Sequence, residues 1–348
     1  MARSASQRPT SFDIAYRAGV SQPTVSRALR GSPSVSAATR ARIEAIAREL
    51  NYAVDKNASN LRSQQSHTIA LLFFEDVTAD SSLINPFFLS MLGAITRGAG
   101  KAGYDLLISF QHHAGDCPKS YEDSRKADGI ILLGYGDYQQ YRPRLEQLYA
   151  QGTHFVRWGS PEHGDRGTTI GCDNRAGGRV ATEHLLHQGR RRIGFLGACD
   201  NHSPEFRERW LGYCDAHHAA GIEPDPALQV DAITLEAAGH RAVHTLTARG
   251  GAFDAIFAAS DLIAIGAMHA LQESGKRIPN DIAVVGYDDI PAAHQASPPL
   301  TTVQQDAQLA GDALVNALLA RLEQREPVSC LLPVSLKVRA SSVAHTTV

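Results

Sequence analysis

Residues 21–31 read "SQPTVSRALRG", and Arg27 is the residue there with the most chemistry to offer. A guanidinium can donate two hydrogen bonds to the edge of guanine, and the amide of Gln22 can do the same for adenine. Ser21 and Thr24 are small donors suited to phosphate oxygens. On a helix over 22–30, Gln22, Pro23, Ser26 and Arg27 fall on the face opposite Val25 and Leu29. A second set of polar residues directly follows apolar runs: Ser260 and Asp261 after "AIFAA", and Asp288 and Asp289 after "AVVGY". Trp158 ends "HFVRW", and Asn85, Phe87 and Phe88 stand between the first apolar run and the helix after it. In open parallel sheets, ligands bind beyond the carboxyl ends of strands, where such residues lie.

The chain lacks the usual signatures of catalysis. It has no Walker loop, no G-x-S-x-G and no H-E-x-x-H. The pairs His112–His113 and His217–His218 are adjacent and lack helical ligand spacing, so solvated surface is expected for them. The five Cys show no C-x-x-C spacing and are odd in number, which predicts free thiols in a reducing compartment. No cofactor, no metal and no enzymatic activity are expected.

The elements that must carry these residues fall into two styles. Residues 1–63 hold 10 Lys and Arg against 4 Asp and Glu, while the remainder holds 24 against 32. A basic head on an acidic body points to a local nucleic-acid contact. Thr10 and Asp13 have capping spacing for a first helix ending at Gly19. Ser21 starts a second helix that tolerates Pro23 in its first turn, and Gly31 closes it. Ser36 starts a third, through Asn51, with Ile43, Ile46, Ala47 and Leu50 on one side. Three short helices with a turn at "AGVS" predict a helix-turn-helix. Residues 53–66 are polar and read as a linker. From residue 67, short apolar strands alternate with amphipathic helices, which predicts parallel sheets covered on both faces. Two open sheets fit the length better than one, and a closed (β/α)8 barrel is the competing architecture. The N-terminus lacks an apolar signal region, and no apolar run reaches the ~18 residues of a membrane span, so a cytoplasmic protein with no membrane partner is expected.

The stretches "FDIAYRAGVSQPTVSRALRGSPSVSAATRARIEAIARELNY", "INPFFLSMLGAITRGAGKAGYDLLI", "DNRAGGRVATEHLLHQGRRRIGFLG", "ASDLIAIGAMHALQESGKRIPNDIAVVGYDD" and "PPLTTVQQD" resemble blocks of the Lac repressor family of bacterial transcription regulators, in family order. "LLPVSLKVRASS" is similar to the end of the family's core. The resemblance covers nearly the whole chain. It implies a helix-turn-helix domain over 1–52, a hinge helix and linker over 53–66, and a periplasmic-binding-protein-like core over 67–348. That core would consist of two doubly wound subdomains, about 67–171 with 306–329 and about 172–301 with 333–345, crossed near 171–175, 301–306 and 329–333. It also implies a homodimer on a palindromic double-stranded operator. Asn57, Ala58 and Leu61 would then meet the minor groove, with Leu61 as an apolar wedge. Val54, where the family usually has Pro, and Asn57, where an apolar residue is common, would leave this hinge less preordered. After "SLKVRAS" only "SVAHTTV" follows, so no tetramerising helix is expected.

Arg209 in "RERWLGY" matches the family's R-x-x-G-[YW] position, whose Arg reaches into the effector cleft. Together with Asn85, Phe87, Phe88, Trp158, Ser260, Asp261 and Asp288 it forms the expected effector set. Carboxylates and Arg for hydroxyls, with aromatic rings for a sugar face, suit a small carbohydrate. Ala307 follows the "QQD" run where the family's galactoside-responsive member carries an aromatic residue. A galactoside therefore does not carry over, and a purine effector stays open. Ser260 and Asp261 are also good helix N-caps.

Overall fold

The computed structural model describes residues 9–52, 65–74, 84–111, 119–134, 136–162 and 164–343. The chain divides into two compact units, Met1–Ser66 and His67–Val348. The linker residues Asn57, Ala58 and Leu61, and the pair His112–His113, lie outside the described residues.

The first unit carries α1 (Ser11–Ala18), α2 (Gln22–Leu29) and α3 (Ala37–Glu49). The Asp13 carboxylate accepts the Thr10 backbone N–H at 2.8 Å, which satisfies a donor at the start of α1. Gly19 ends α1 at φ 61°, a left-handed turn that a side chain would strain. Ser21 sits at the head of α2, but its hydroxyl bonds the Thr24 hydroxyl at 2.9 Å rather than capping the backbone. Ser36 does cap, accepting the Thr39 N–H at 3.3 Å. Ile14, Val25 and Ile43 are fully buried where the three helices meet. Each contributes about 1.5–3 kcal/mol by burial. Ala28 rather than Leu29 is the buried partner of Val25 on α2, and Leu29 packs at the edge.

The second unit holds two sheets of six strands among the described residues. One runs in the order β11 (Cys330–Leu332), β5 (Thr168–Cys172), β4 (Phe155–Trp158), β3 (Gly129–Leu133), β1 (Thr68–Phe74) and β2 (Asp105–Gln111), and all its pairs are parallel. The other runs β12 (Val334–Lys337), β10 (Thr301–Gln305), β9 (Ala283–Asp288), β8 (Ala255–Ala258), β6 (Ile193–Leu196) and β7 (Gln229–Val230). Only β10 and β12 pair antiparallel there. Both sheets are open, which excludes the closed barrel. Strands β3 and β9 are buried along their whole length, as parallel strands covered on both faces must be.

Helices α4 (Pro86–Lys101), α5 (Lys119–Asp123), α6 (Tyr138–Ala150) and α12 (Ala307–Leu322) belong to the first sheet's half. Helices α7 (Asn174–His187), α8 (Pro204–Ala219), α9 (Glu236–Ala248), α10 (Asp261–Glu273) and α11 (Pro291–Gln295) belong to the second. The chain passes between the sheets after β5, after β10 and between β11 and β12. Two of these passages are tied together, because Asp173 N–H donates to the Leu332 carbonyl at 3.0 Å. Among the described residues no helix is long and apolar enough to cross a membrane.

Candidate functional site

A cavity of about 1300 Å³ opens between the carboxyl ends of the two sheets. Its apolar wall is aromatic. Phe73, Phe74 and Phe110 come from the ends of β1 and β2, Phe87 and Phe88 from the start of α4, Trp158 from the end of β4 and Phe206 from α8. The rings brace one another, with centroids 5.7 Å apart for Phe87 and Trp158 and 6.1 Å for Phe73 and Phe110. Asn85 caps α4, its side-chain oxygen accepting the Phe87 N–H at 2.9 Å, and its amide N–H groups stay available as donors.

The polar wall is built on the second sheet. Asp288 ends β9 at φ 115°, and Asp289 follows at φ 55°, both in the left-handed region. Such a backbone is costly for a residue other than Gly and persists only where its surroundings hold it. The Gln305 amide donates to Asp288 Oδ1 at 2.6 Å, and Arg209 Nη1 lies 3.8 Å from the same oxygen. Burial pushes the Asp288 carboxyl up to about 6, against the pull of Arg209 and of the Gln305 hydrogen bond. Arg209 is held from three sides. Its Nε donates to Asn174 Oδ1 at 2.9 Å, its Nη1 donates to the Ala259 carbonyl, and its guanidinium lies 3.6 Å from the Tyr287 ring centre. A fixed guanidinium beside a buried carboxylate offers a donor and an acceptor side by side, the pattern that reads neighbouring hydroxyls.

Asn85, Phe87, Phe88, Trp158, Arg209 and Asp288 all line the cavity. Ser260 and Asp261 do not. Ser260 caps α10 by accepting the Ile263 N–H at 3.4 Å. Asp261 is turned into the protein, accepting the Ile290 N–H at 2.9 Å and the Thr302 hydroxyl at 2.5 Å. Burial, with the Asp288 charge added to it, raises its pKa well above the usual range. Sequence reasoning missed Gln305, Glu205, Phe206, Phe110 and Arg241 on the lining. Gln305 was findable, since it stands at the end of β10 as Asp288 stands at the end of β9.

One flank of the cavity is bridged between the two halves. Asp137 Oδ2 meets His202 Nδ1 at 2.9 Å, Ser160 N–H donates to Glu205 Oε1 at 2.9 Å, and Arg207 donates to Glu162 Oε1 at 2.7 Å. Burial pushes the Glu205 carboxyl up, partly offset by the Ser160 bond and by Arg209 and Arg207.

On the first unit, Ser21, Pro23 and Arg27 are exposed, and Gln22, Thr24 and Ser26 are half-buried along α2. The Gln22 amide donates to Ser11 Oγ at 3.2 Å, which fixes the start of α2 against α1. Arg17 and Arg30 are exposed as well, and so are two aromatic residues of α1, Phe12 at 70% and Tyr16 at 91%. These exposed rings put apolar surface on a basic helical unit, a feature that charge counting alone did not show. His217 is a correction. It is 2% exposed, with its ring 4.2 Å from that of Tyr213 and its Nδ1 3.0 Å from the Tyr213 carbonyl, whereas the adjacent His218 is exposed.

Residues 12–55 match the model of the bacterial regulatory proteins, lacI family, and residues 182–342 match that of the periplasmic binding protein-like domain. The transcriptional regulator CelR of Thermobifida fusca is 32% identical over 341 residues, covering 96% of this chain and 98% of that protein. The chain belongs to the LacI family. It is similar also to the ribose operon repressor of Escherichia coli K12, at 31% identity over 90% of this chain and 93% of that one. Among solved structures, the Lac repressor dimer bound to operator and the anti-inducer ONPF matches with a TM-score of 0.83 at 27% identity, covering 97% of this chain and 100% of that chain. The CelR–cellobiose complex matches with a TM-score of 0.69 at 32% identity, covering 96% and 100%. The chain is therefore a DNA-binding transcriptional regulator of that family, and its curated relatives are regulators rather than enzymes.

Proposed function

We propose that this regulator binds a palindromic operator as a homodimer and that a sugar in the cavity of the second unit sets its operator affinity. The observation that carries the reading is the opposition of two walls. Aromatic rings from β1, β2, β4 and α4 face a polar set of Arg209, Asp288 and Gln305. A sugar ring has an apolar face for the rings and hydroxyls for the polar set. At about 1300 Å³ the cavity exceeds the ~300–1,000 Å³ usual for one small ligand. A sugar of two rings fits that space better than a lone pentose, and similarity to the CelR–cellobiose complex supports the same choice. A purine is the second reading, supported by the paired rings of Phe73 and Phe110 and by 28% identity to PurR of Serratia proteamaculans.

In this reading Arg27 reads a base in the major groove, with Gln22, Pro23 and Ser26 beside it and Ser21 and Thr24 on phosphate. Asn57, Ala58 and Leu61 form the minor-groove part, with Leu61 as the wedge. A DNA site on one unit and an effector site in the other need a two-state element that both bias. The two halves of the second unit serve as that element, and the bridges Asp137–His202, Ser160–Glu205 and Glu162–Arg207 join them along one flank. The test is a thermal-shift screen of the full chain with cellobiose, ribose and purine bases. A ligand at 100 times its Kd adds about 2.7 kcal/mol of stability. A shift with a purine and none with any sugar overturns the sugar assignment.

A further inference from the structure

Helices α9 and α10 carry a cluster, His240, His244 and Glu273, that is not among the residues lining the effector cavity and that neither DNA reading nor effector binding uses. His240 and His244 stand four residues apart on α9, so both imidazoles project from one side of that helix. Glu273 closes the last turn of α10. His240 Nε2 lies 2.8 Å from Glu273 Oε2, and the two histidine rings are 4.9 Å apart. One ligand atom from each of the three residues lies within 4.8 Å of the others. One turn earlier on each helix, Glu236 and His269 continue the pattern, with His269 Nδ1 4.0 Å from Glu236 Oε2.

The backbones under the cluster are locked together. A Cβ on Gly239 would lie 2.0 Å from the Ile263 carbonyl oxygen, and one on Gly266 would lie 1.8 Å from that of Glu236. Only glycine permits α9 and α10 to approach this closely, and the approach fixes the spacing of their outer side chains. Ligands borne by two packed helices are held more firmly than ligands on loops.

We propose that His240, His244 and Glu273 form a binding site for a divalent transition metal of the zinc class. Two neutral imidazoles and one carboxylate make the N2O donor set that such ions favour, and water completes the coordination. Bonds of about 2.0–2.2 Å place ligand atoms about 3–3.5 Å apart. The His240–Glu273 pair is already near that spacing, and a rotamer adjustment of exposed His244 brings in the third atom. Without the ion, His240 and Glu273 are joined by a hydrogen bond of 2.8 Å, which the ion replaces. A simple surface hydrogen bond between His240 and Glu273 would not call for a second imidazole beside it. By bridging α9 to α10 the ion staples the half of the core that carries Asp288.

The test uses full-length protein without an affinity tag, dialysed against chelator and titrated with zinc chloride by calorimetry. One saturable site per chain is expected. His244→Gln and Glu273→Gln each weaken it at least tenfold, while His218→Gln, an exposed histidine outside the cluster, leaves it unchanged. His244→Asp restores an oxygen ligand and recovers part of the affinity, a rescue that no folding defect would produce. Cobalt chloride gives a second readout, because the intensity of its visible bands separates a site of low coordination number from the hydrated ion. No saturable zinc binding, or equal affinity in wild type, His244→Gln and Glu273→Gln, overturns the proposal.

Discussion

Replacing Asp288 by Asn should make the free protein more stable at neutral pH and a worse effector binder. The Asn amide has nearly the carboxylate's shape, tolerates the positive φ of 115°, and its oxygen can still accept from Gln305. What disappears is a buried charge. The Asp288 carboxyl is pushed up to about 6 by burial, roughly two units above the ordinary ~3.9. At about 1.36 kcal/mol per unit, ionising it in the folded state costs about 3 kcal/mol. The sign follows from which state holds the proton more tightly. The folded state does, so the stability from protonated Asp288 is complete below about pH 4 and is lost as pH rises through about 6. Asn does not titrate. The stability of Asp288→Asn relative to wild type should therefore grow by about 2 kcal/mol between pH 4 and pH 7. Relief of Asp261, whose raised pKa owes part of its shift to the Asp288 charge, adds in the same direction. Effector affinity should move the other way. A hydrogen bond to a charged group contributes about 1.5–3 kcal/mol, so binding should weaken about 10- to 100-fold. Urea unfolding across pH measures the first quantity and calorimetry with the ligand found by thermal shift measures the second. A stability difference that stays flat from pH 4 to pH 7 would refute the buried-charge account of Asp288, and unchanged ligand affinity would remove it from the effector site.

Three further outcomes are expected. Arg27→Ala should weaken specific operator binding by about 1–3 kcal/mol and relax one base position per half-site, and an operator-variant scan that shows unaltered base preference would make Arg27 a phosphate contact. His202, hydrogen-bonded to Asp137, should titrate above the usual histidine range in an NMR pH series and fall back in Asp137→Asn. The bond from Asp137 holds the His202 proton, so this bridge is lost as pH rises through the raised value; a His202 pKa unaffected by the Asp137 change would dismiss it. Gly266→Ala should destabilise the second unit by several kcal/mol, because its Cβ would overlap the Glu236 carbonyl at 1.8 Å, and a melting temperature within a degree of wild type would show that α9 and α10 are not locked.

Local signals made much of the fold readable. Ser36 and Ser260 are caps whose meaning is contained within three residues, so those helix starts followed from composition. The strand "TTIGC" escaped notice because Thr168 and Thr169 are buried by the neighbours β4 and β11, not by their own hydrophobicity. Strands β7 and β11 span only two and three residues, too few for a pattern. The cavity was legible where a polar residue ended a strongly apolar strand, as Asp288 does. It was ambiguous at Asp261, since a residue that turns inward to Thr302 looks the same in sequence as one that turns outward to a ligand. Phe110, Glu205 and Arg241 come together only when two sheets face each other, and no local pattern encodes that. His240 and His244 carry helical ligand spacing in the sequence, but their partner Glu273 is 33 residues away on the next helix.

The measurement that tests the account most directly is an operator titration by fluorescence anisotropy, with and without the ligand identified by thermal shift, on wild type and on Arg209→Ala. Arg209 is buried among Asn174, Tyr287 and Asp288 in the second unit, whereas α2 belongs to the first. Wild-type operator affinity should change at least tenfold with ligand. Arg209→Ala should keep its ligand-free operator affinity within about 1 kcal/mol and lose most of that response. An Arg209→Ala protein that responds to ligand as wild type does would contradict the placement of effector control in this cavity.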